Sequence, residues 1–208
     1  MQKKPINPDK PVSQGKRGRT RQTLIDTAAA LIREHGYAKV SMEQVAAKAG
    51  VSRGSIYGNF KDRNELILAV ALSRMPRIMP TPMPGASLRE QLRAMGKAVA
   101  QAARDNCDNT VHWMAYMLHT MSDPELKQRA AVQGQMLRKM IAQEWSKTLP
   151  VDALPMPIDT FVKVLTSLTS SMIIAHSMTP DDFDEAVIVS AFEGLAGPAA
   201  PSRPTRKR

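Results

Sequence analysis

The chain has 208 residues, is 43% hydrophobic and carries a formal net charge of +10; that apolar content excludes wholesale disorder. No apolar run reaches the roughly 20 residues of a membrane-spanning helix, and MQKKPINPDKPVSQ has no apolar segment behind its positive charge, which argues against a secretory signal and a membrane partner. The single cysteine, Cys107, cannot close an internal disulfide, and this fits a reducing, cytoplasmic setting.

The charge is not spread evenly. Residues 1–63 hold 13 Lys and Arg against 5 Asp and Glu, a balance of +8. Residues 64–198 hold 12 against 14, a balance of −2, and residues 199–208 hold 4 basic residues and no acidic one. A basic head on a nearly neutral body is the footprint of a polyanion binder, and nucleic acid is the commonest cytosolic polyanion. Basic termini that only aid solubility are the alternative.

In chain order, residues 1–19 are rich in Pro, Lys and Gly and read as a flexible arm, basic at Lys16, Arg17 and Arg19. The first helix is expected from about Thr20 to His35, with Leu24, Ile25, Ala28, Leu31 and Ile32 on one face and Gly36 as its stop. Ser41-Met-Glu-Gln44 is a capping box that opens a second helix ending at Gly50. A short third helix runs from Ser52 to near Phe60, and Asp62 with Glu65 opens a fourth to about Arg74. Pro76, Pro80, Pro82, Pro84 and Gly85 break the pattern and mark an elbow. Ser87-Leu-Arg-Glu90 caps a fifth helix to about Asp105, and a sixth covers about Asn109 to Met121. Ser122-Asp-Pro-Glu125 opens a seventh to about Lys147. Pro150, Pro155 and Pro157 form a loop, an eighth helix covers Ile158 to Met178, and Thr179-Pro180 opens a ninth to about Leu195. Strand signals are weak, so the expected fold is all-α with about nine helices. The expected divisions are an arm (1–19), a three-helix DNA-binding head with a helix-turn-helix (20–66), an effector-binding and dimerisation domain (67–198) and a basic tail (199–208).

The head carries the chemistry. Two short helices meet at Ala49-Gly50-Val51-Ser52, where Gly50 supplies a positive-φ turn, Val51 buries and Ser52 caps the next helix. That is the logic of a helix-turn-helix, whose second helix enters the DNA major groove. Ile56 and Phe60, four apart, face the core. Arg53, Gly54, Ser55, Tyr57, Gly58 and Asn59 then face outward. Arg53 and Asn59 suit base edges; Ser52, Tyr57 and Arg63 suit phosphates, as does the start of the fourth helix, with Lys61 beside it.

The stretch from Thr20 to Val70, above all SMEQVAAKAGVSRGSIYGNFKDRNEL, resembles the DNA-binding domain of the TetR family of transcriptional regulators. The shared features are Tyr37 after the first helix's glycine, the Ala-Gly-Val-Ser turn, the Gly-Ser-Ile-Tyr segment and Phe60. The resemblance implies a homodimeric, all-helical repressor of a palindromic double-stranded operator, released by a small-molecule effector. It places phosphate contacts on Ser41, Ser52 and Tyr57. Gly58 and Asn59 stand where the family usually carries a bulky or polar residue followed by His or Tyr, so that aromatic's role does not transfer. Arg63 replaces a usual lysine and serves a phosphate at least as well.

The body is rich in methionine, which adapts to irregular space: Met95, Met114, Met117, Met121, Met136, Met140 and Met172. An apolar effector pocket is expected from Met95, His112, Trp113, Tyr116, Met117, Met140, Met172 and His176; plain core is the alternative for each methionine. On the sixth helix Val111, Met114, Leu118 and Met121 form an apolar stripe. His112, Tyr116 and His119 form a second stripe that either anchors a ligand or satisfies itself internally. Asp108, His112 and His119 lack a fourth metal ligand, so no metal is expected. Phe161, Leu165, Leu168 and Met172 on the eighth helix, with Ala186, Val189 and Phe192 on the ninth, are expected to form a dimer interface; packing inside one subunit is the alternative. There is no glycine-rich phosphate loop, zinc spacing or Glu-x-x-His pair, so neither an enzyme nor a cofactor is expected.

Overall fold

The computed structural model describes residues 15–75, 78, 83, 85–105, 107–147 and 154–197, with the side chains of residues 16 and 107–109 outside that description. The arm up to residue 14, most of the proline elbow, the loop at Pro150 and the tail therefore lie outside the described residues. The described residues form helices and one 3-10 turn, in two compact units, residues 1–74 and 75–208.

The first unit holds α1 (Lys16–His35), a 3-10 turn (Tyr37–Lys39), α2 (Met42–Lys48), α3 (Arg53–Asn59) and α4 (Arg63–Arg74). Leu24, Ile25, Ala28, Ala29, Leu31 and Ile32 are all buried, so α1 lays its predicted face on the core. The helix starts four residues earlier than expected. Arg17 gives the reason: its guanidinium donates to the Gly58 carbonyl at 2.8 Å, which ties the first turn to the end of α3. Gly36, at φ 80° and ψ 164°, ends α1 in a backbone region only glycine enters freely. Tyr37 and Val40 then turn back into the core.

α2 opens on the capping box: the Gln44 amide donates to Ser41 Oγ at 3.2 Å and the Ser41 amide to Gln44 Oε1 at 2.9 Å. It closes in a paired C-terminal motif around Gly50 (φ 66°). The Val51 amide reaches the Ala46 carbonyl at 3.0 Å and the Gly50 amide reaches Ala47 at 3.2 Å. Val51 is only half-buried, less than expected. Ser52 then caps α3, accepting from the Ser55 amide at 3.2 Å. Ile56 and Phe60 are fully buried, each contributing about 1.5–3 kcal/mol of apolar burial. Asp62 caps α4 through the Glu65 amide at 2.9 Å, and Glu65 reaches back to the Lys61 amide at 2.7 Å.

The second unit is organised on α5 (Leu88–Asp105), which packs on α8 (Ile158–Met178) and most extensively on α9 (Glu185–Gly194). Its core joins Leu88, Leu92, Met95 and Val99 to Phe161 and Leu165 of α8 and to Ile188 and Phe192 of α9. Gly96 permits the close α5–α9 approach: a Cβ there would lie 2.8 Å from the Val189 Cα. Arg93 pairs with Glu193, and Arg104 with Glu185 at 3.0 Å, along the edges of that contact. α6 (Cys107–Ser122) and α7 (Pro124–Trp145) form a hairpin, closed by Asp123 accepting from the Leu126 amide at 3.0 Å. Trp145 reaches Phe161, with ring centroids 6.2 Å apart.

α9 begins at Glu185, not at Thr179-Pro180. Thr179 is spent closing α8, its carbonyl accepts from the Asp182 and Phe183 amides at 3.1 Å, and Asp184 supplies the cap through the Val187 amide. α8 corrects a second expectation. By length and composition it is apolar enough to cross a membrane, with a mean hydropathy of 1.3 over its best window. Three of its hydroxyls are satisfied by the helix's own carbonyls: Thr166 donates to Val162 at 2.8 Å, Thr169 to Leu165 at 2.9 Å and Ser177 to Ile173 at 2.8 Å.

Candidate nucleic-acid interface

α3 is held from beneath by Ile56 and Phe60, so its other faces are left to solvent. Ser52, Arg53, Gly54, Tyr57 and Gly58 are exposed there, as is Lys61 just beyond the helix, while Ser55 and Ser41 are partly buried. The Arg53 side chain is 77% exposed, and its guanidinium lies over the Tyr57 ring at 5.6 Å. Neither Gly54 nor Gly58 has a foreign atom within 3.4 Å of where a Cβ would stand, so a nucleic-acid backbone can approach there closely. Arg17, Arg19, Arg21, Arg33, Lys39 and Lys48 add exposed cations to the same unit.

Two expected contact residues are placed otherwise. Asn59 is half-buried and folds back on its own helix, its Nδ2 donating to the Ser55 carbonyl at 2.8 Å, with Oδ1 buried. A short polar side chain on the last turn finds the i−4 carbonyl more readily than a base edge. Arg63 points inward: its Nε donates to the Val40 carbonyl at 2.8 Å and an Nη donates to the Tyr37 carbonyl. It stitches the 3-10 turn to the start of α4, a task that suits a planar, multi-donor guanidinium. Arg63→Ala is therefore expected to lower the stability of the head by about 1.5–3 kcal/mol while leaving the slope of log affinity against log salt unchanged. Thermal melts and salt titrations of DNA binding check the two halves.

The sequence reading missed three participants. Glu43, on α2, accepts from the Tyr57 hydroxyl at 3.0 Å and lies 3.6 Å from Arg53. Its own backbone amide, the Tyr57 hydroxyl and, more weakly, the Arg53 charge hold its carboxyl below the ordinary range. Arg17, read as part of the arm, and Arg21, given no role, brace the end of α3 through the Gly58 carbonyl and the face of the Phe60 ring, 4.7 Å away. All three juxtapositions join different helices, so no local spacing signals them.

In the second unit the expected effector residues separate. Met95 is buried in the α5–α8–α9 core and Met172 packs against it. Tyr116 is buried, which pushes its hydroxyl's pKa up, and its ring sits 5.4 Å from Trp113. His112 is half-buried. His176 Nδ1 donates to the Phe183 carbonyl at 2.8 Å and so holds the α8–α9 turn. Met117 and Met140 are 41% and 63% exposed. Thr110, which was not anticipated, is buried on α6, its hydroxyl 3.0 Å from that of Ser177. Of the expected interface residues, Phe161, Leu165 and Phe192 are buried in the subunit's own core, because their stripes face α5; packing inside one subunit is the alternative that holds for them. Leu168 and Met172 pack against that core, Val189 is half-buried beside Gly96, and Ala186 is exposed. Among the described residues no three His, Cys, Asp or Glu side chains converge as metal ligands; the Asp108 side chain lies outside them.

A glycine turn between two capped helices, the second seated on an apolar base with arginine and tyrosine outward, is a helix-turn-helix DNA-binding head. Residues 24–70 match the model of the bacterial regulatory proteins of the tetR family. Over 136 residues the chain is 28% identical to the HTH-type transcriptional regulator BetI of Serratia proteamaculans (strain 568), covering 62% of this chain and 69% of that one. Salmonella enterica GusR shares the fold with a TM-score of 0.63 at 15% identity, over 87% of this chain and 97% of that one. The SmeT–triclosan complex does so with a TM-score of 0.56 at 16% identity, over 86% and 90%. The molecule is thus a helix-turn-helix transcriptional regulator and not an enzyme. Its DNA-binding head, over residues 24–70, is of the TetR type.

Proposed function

We propose that the chain is a repressor that binds a palindromic operator as a homodimer in the cytoplasm and leaves it when a small, largely apolar effector binds. The DNA-binding domain spans residues 20–66, and the effector and dimerisation domain spans residues 67–198. The observation that carries the reading is the exposed face of α3, with Arg53 and Tyr57 outward and Gly54 and Gly58 leaving room for the groove. Arg53 reads a base edge, while Ser41, Ser52, Tyr57 and Lys61 hold phosphates. The likeness to SmeT bound to triclosan supports a small effector. The effector shifts the dimer toward a state whose heads no longer match the half-site spacing.

Footprinting on the DNA upstream of the chain's own gene tests this. A single protected palindrome, bound in preference to random duplex, is the expected result. Length-proportional coating with no sequence preference overturns it. Arg53→Ala is expected to weaken binding to that palindrome by about 1–3 kcal/mol and to relax preference at one symmetric base position. Anisotropy titrations on single-base variants of the site read both effects.

A further inference from the structure

The geometry points to Glu43 as an internal stand-in for DNA acceptors: in the free head its carboxylate holds Tyr57 and Arg53, and DNA must displace it to take them. The inference rests on the reading of α3 as the DNA-contacting helix.

Three contacts make a closed cluster. The Tyr57 hydroxyl donates to Glu43 Oε1 at 3.0 Å, an Arg53 Nη lies 3.6 Å from the same oxygen, and the Arg53 guanidinium covers the Tyr57 ring. A carboxylate that receives a phenol hydroxyl and a guanidinium together offers acceptors that DNA must replace, a phosphate oxygen for Tyr57 and a base-edge acceptor for Arg53. The cluster is open to solvent, with the Glu43 side chain 52% exposed, so an incoming phosphate can compete for it.

The sign of the effect follows from the cycle. Free protein keeps the Glu43 contacts. Bound protein loses them, and leaves a carboxylate near the DNA backbone. Both changes weaken binding, on operator and random duplex alike. Glu43 therefore lowers affinity and speeds dissociation. A residue that merely shaped the head would do the opposite on removal, since a loosened head binds worse.

The test is a double-mutant cycle on the full chain, read by anisotropy at equilibrium and by competitor-chase dissociation. The duplexes are the footprinted site and a scrambled one. Glu43→Gln, near-isosteric and at an exposed position, is expected to tighten binding to both duplexes by about 3–10-fold and to slow release, with an unchanged melting temperature. In a Tyr57→Phe, Arg53→Ala background, measured at low salt where the remaining phosphate contacts still hold the complex, the gain is expected to fall below about twofold. Unchanged or weaker binding by Glu43→Gln overturns the inference. So does an equal gain in the two backgrounds, which would make Glu43 an ordinary repulsive charge. If the wild-type chain shows no preference for its upstream DNA, the reading of α3 fails first; if it footprints and Glu43→Gln does not tighten it, only Glu43's role falls.

Discussion

Phe60→Ala is expected to abolish specific DNA binding while leaving the second unit folded. Phe60 is 1% exposed. It is the residue on which α3 ends, and its backbone amide closes the helix on the Ile56 carbonyl at 2.9 Å. Truncation removes the aromatic surface and leaves a cavity that a unit this small cannot collapse around, at a cost of about 3–5 kcal/mol. A head of some 60 described residues has little reserve against such a loss. Arg21 also loses the ring beneath its guanidinium. Amide hydrogen exchange checks the prediction region by region. Protection over residues 24–70 is expected to fall by about a hundredfold or more, while amides of α5, α8 and α9 keep theirs. Unchanged protection around α3 would remove Phe60 from the role given to it.

Gly96→Ala carries the second large effect, in the other unit. One added methyl would meet the Val189 Cα at 2.8 Å and the Phe192 Cβ at 3.4 Å. The nearest atom is backbone, so no side-chain rotation relieves the clash, and α9 must shift along α5. Overpacking of this kind costs about 1–3 kcal/mol, a fall of about 3–10 °C in melting temperature for a unit of this size. Gly194→Ala is the control: nothing lies within 4 Å of its Cβ position, and its melting temperature is expected to stay close to wild type. A Gly96→Ala protein that melts like wild type would show that the α5–α9 contact is looser than described.

The head was largely legible in the sequence because its signals are local. The Ser41/Gln44 box, the Gly50 turn, the Ser52 cap and the Ile56/Phe60 pair each lie within four residues, and each satisfies backbone groups or buries a face over that span. The same economy placed the caps at Asp62 and Ser87. Asn59 and Arg63 were misread because a side chain's partner is not a local property. Outward periodicity put Asn59 on the groove face, and the nearest free carbonyl drew it back. Arg63 met carbonyls 23 and 26 residues away, which no spacing announces.

In the second unit, periodicity found the apolar stripes of α8 and α9 but not their partner. A stripe specifies that a face must be covered; it does not say whether another helix of the same chain or a second chain covers it. Gly96 decided the matter for Phe192 and Val189 by letting α9 close on α5. The charge asymmetry between head and body, the helix boundaries set by caps and glycines, and the helix-turn-helix itself were determined by sequence alone, since electrostatics sums over residues and capping acts within one turn. Which exposed cation is available to DNA, that Glu43 stands against Tyr57 and Arg53, and which apolar stripe is core were decided only by tertiary structure. Those outcomes depend on distances between residues far apart in the chain.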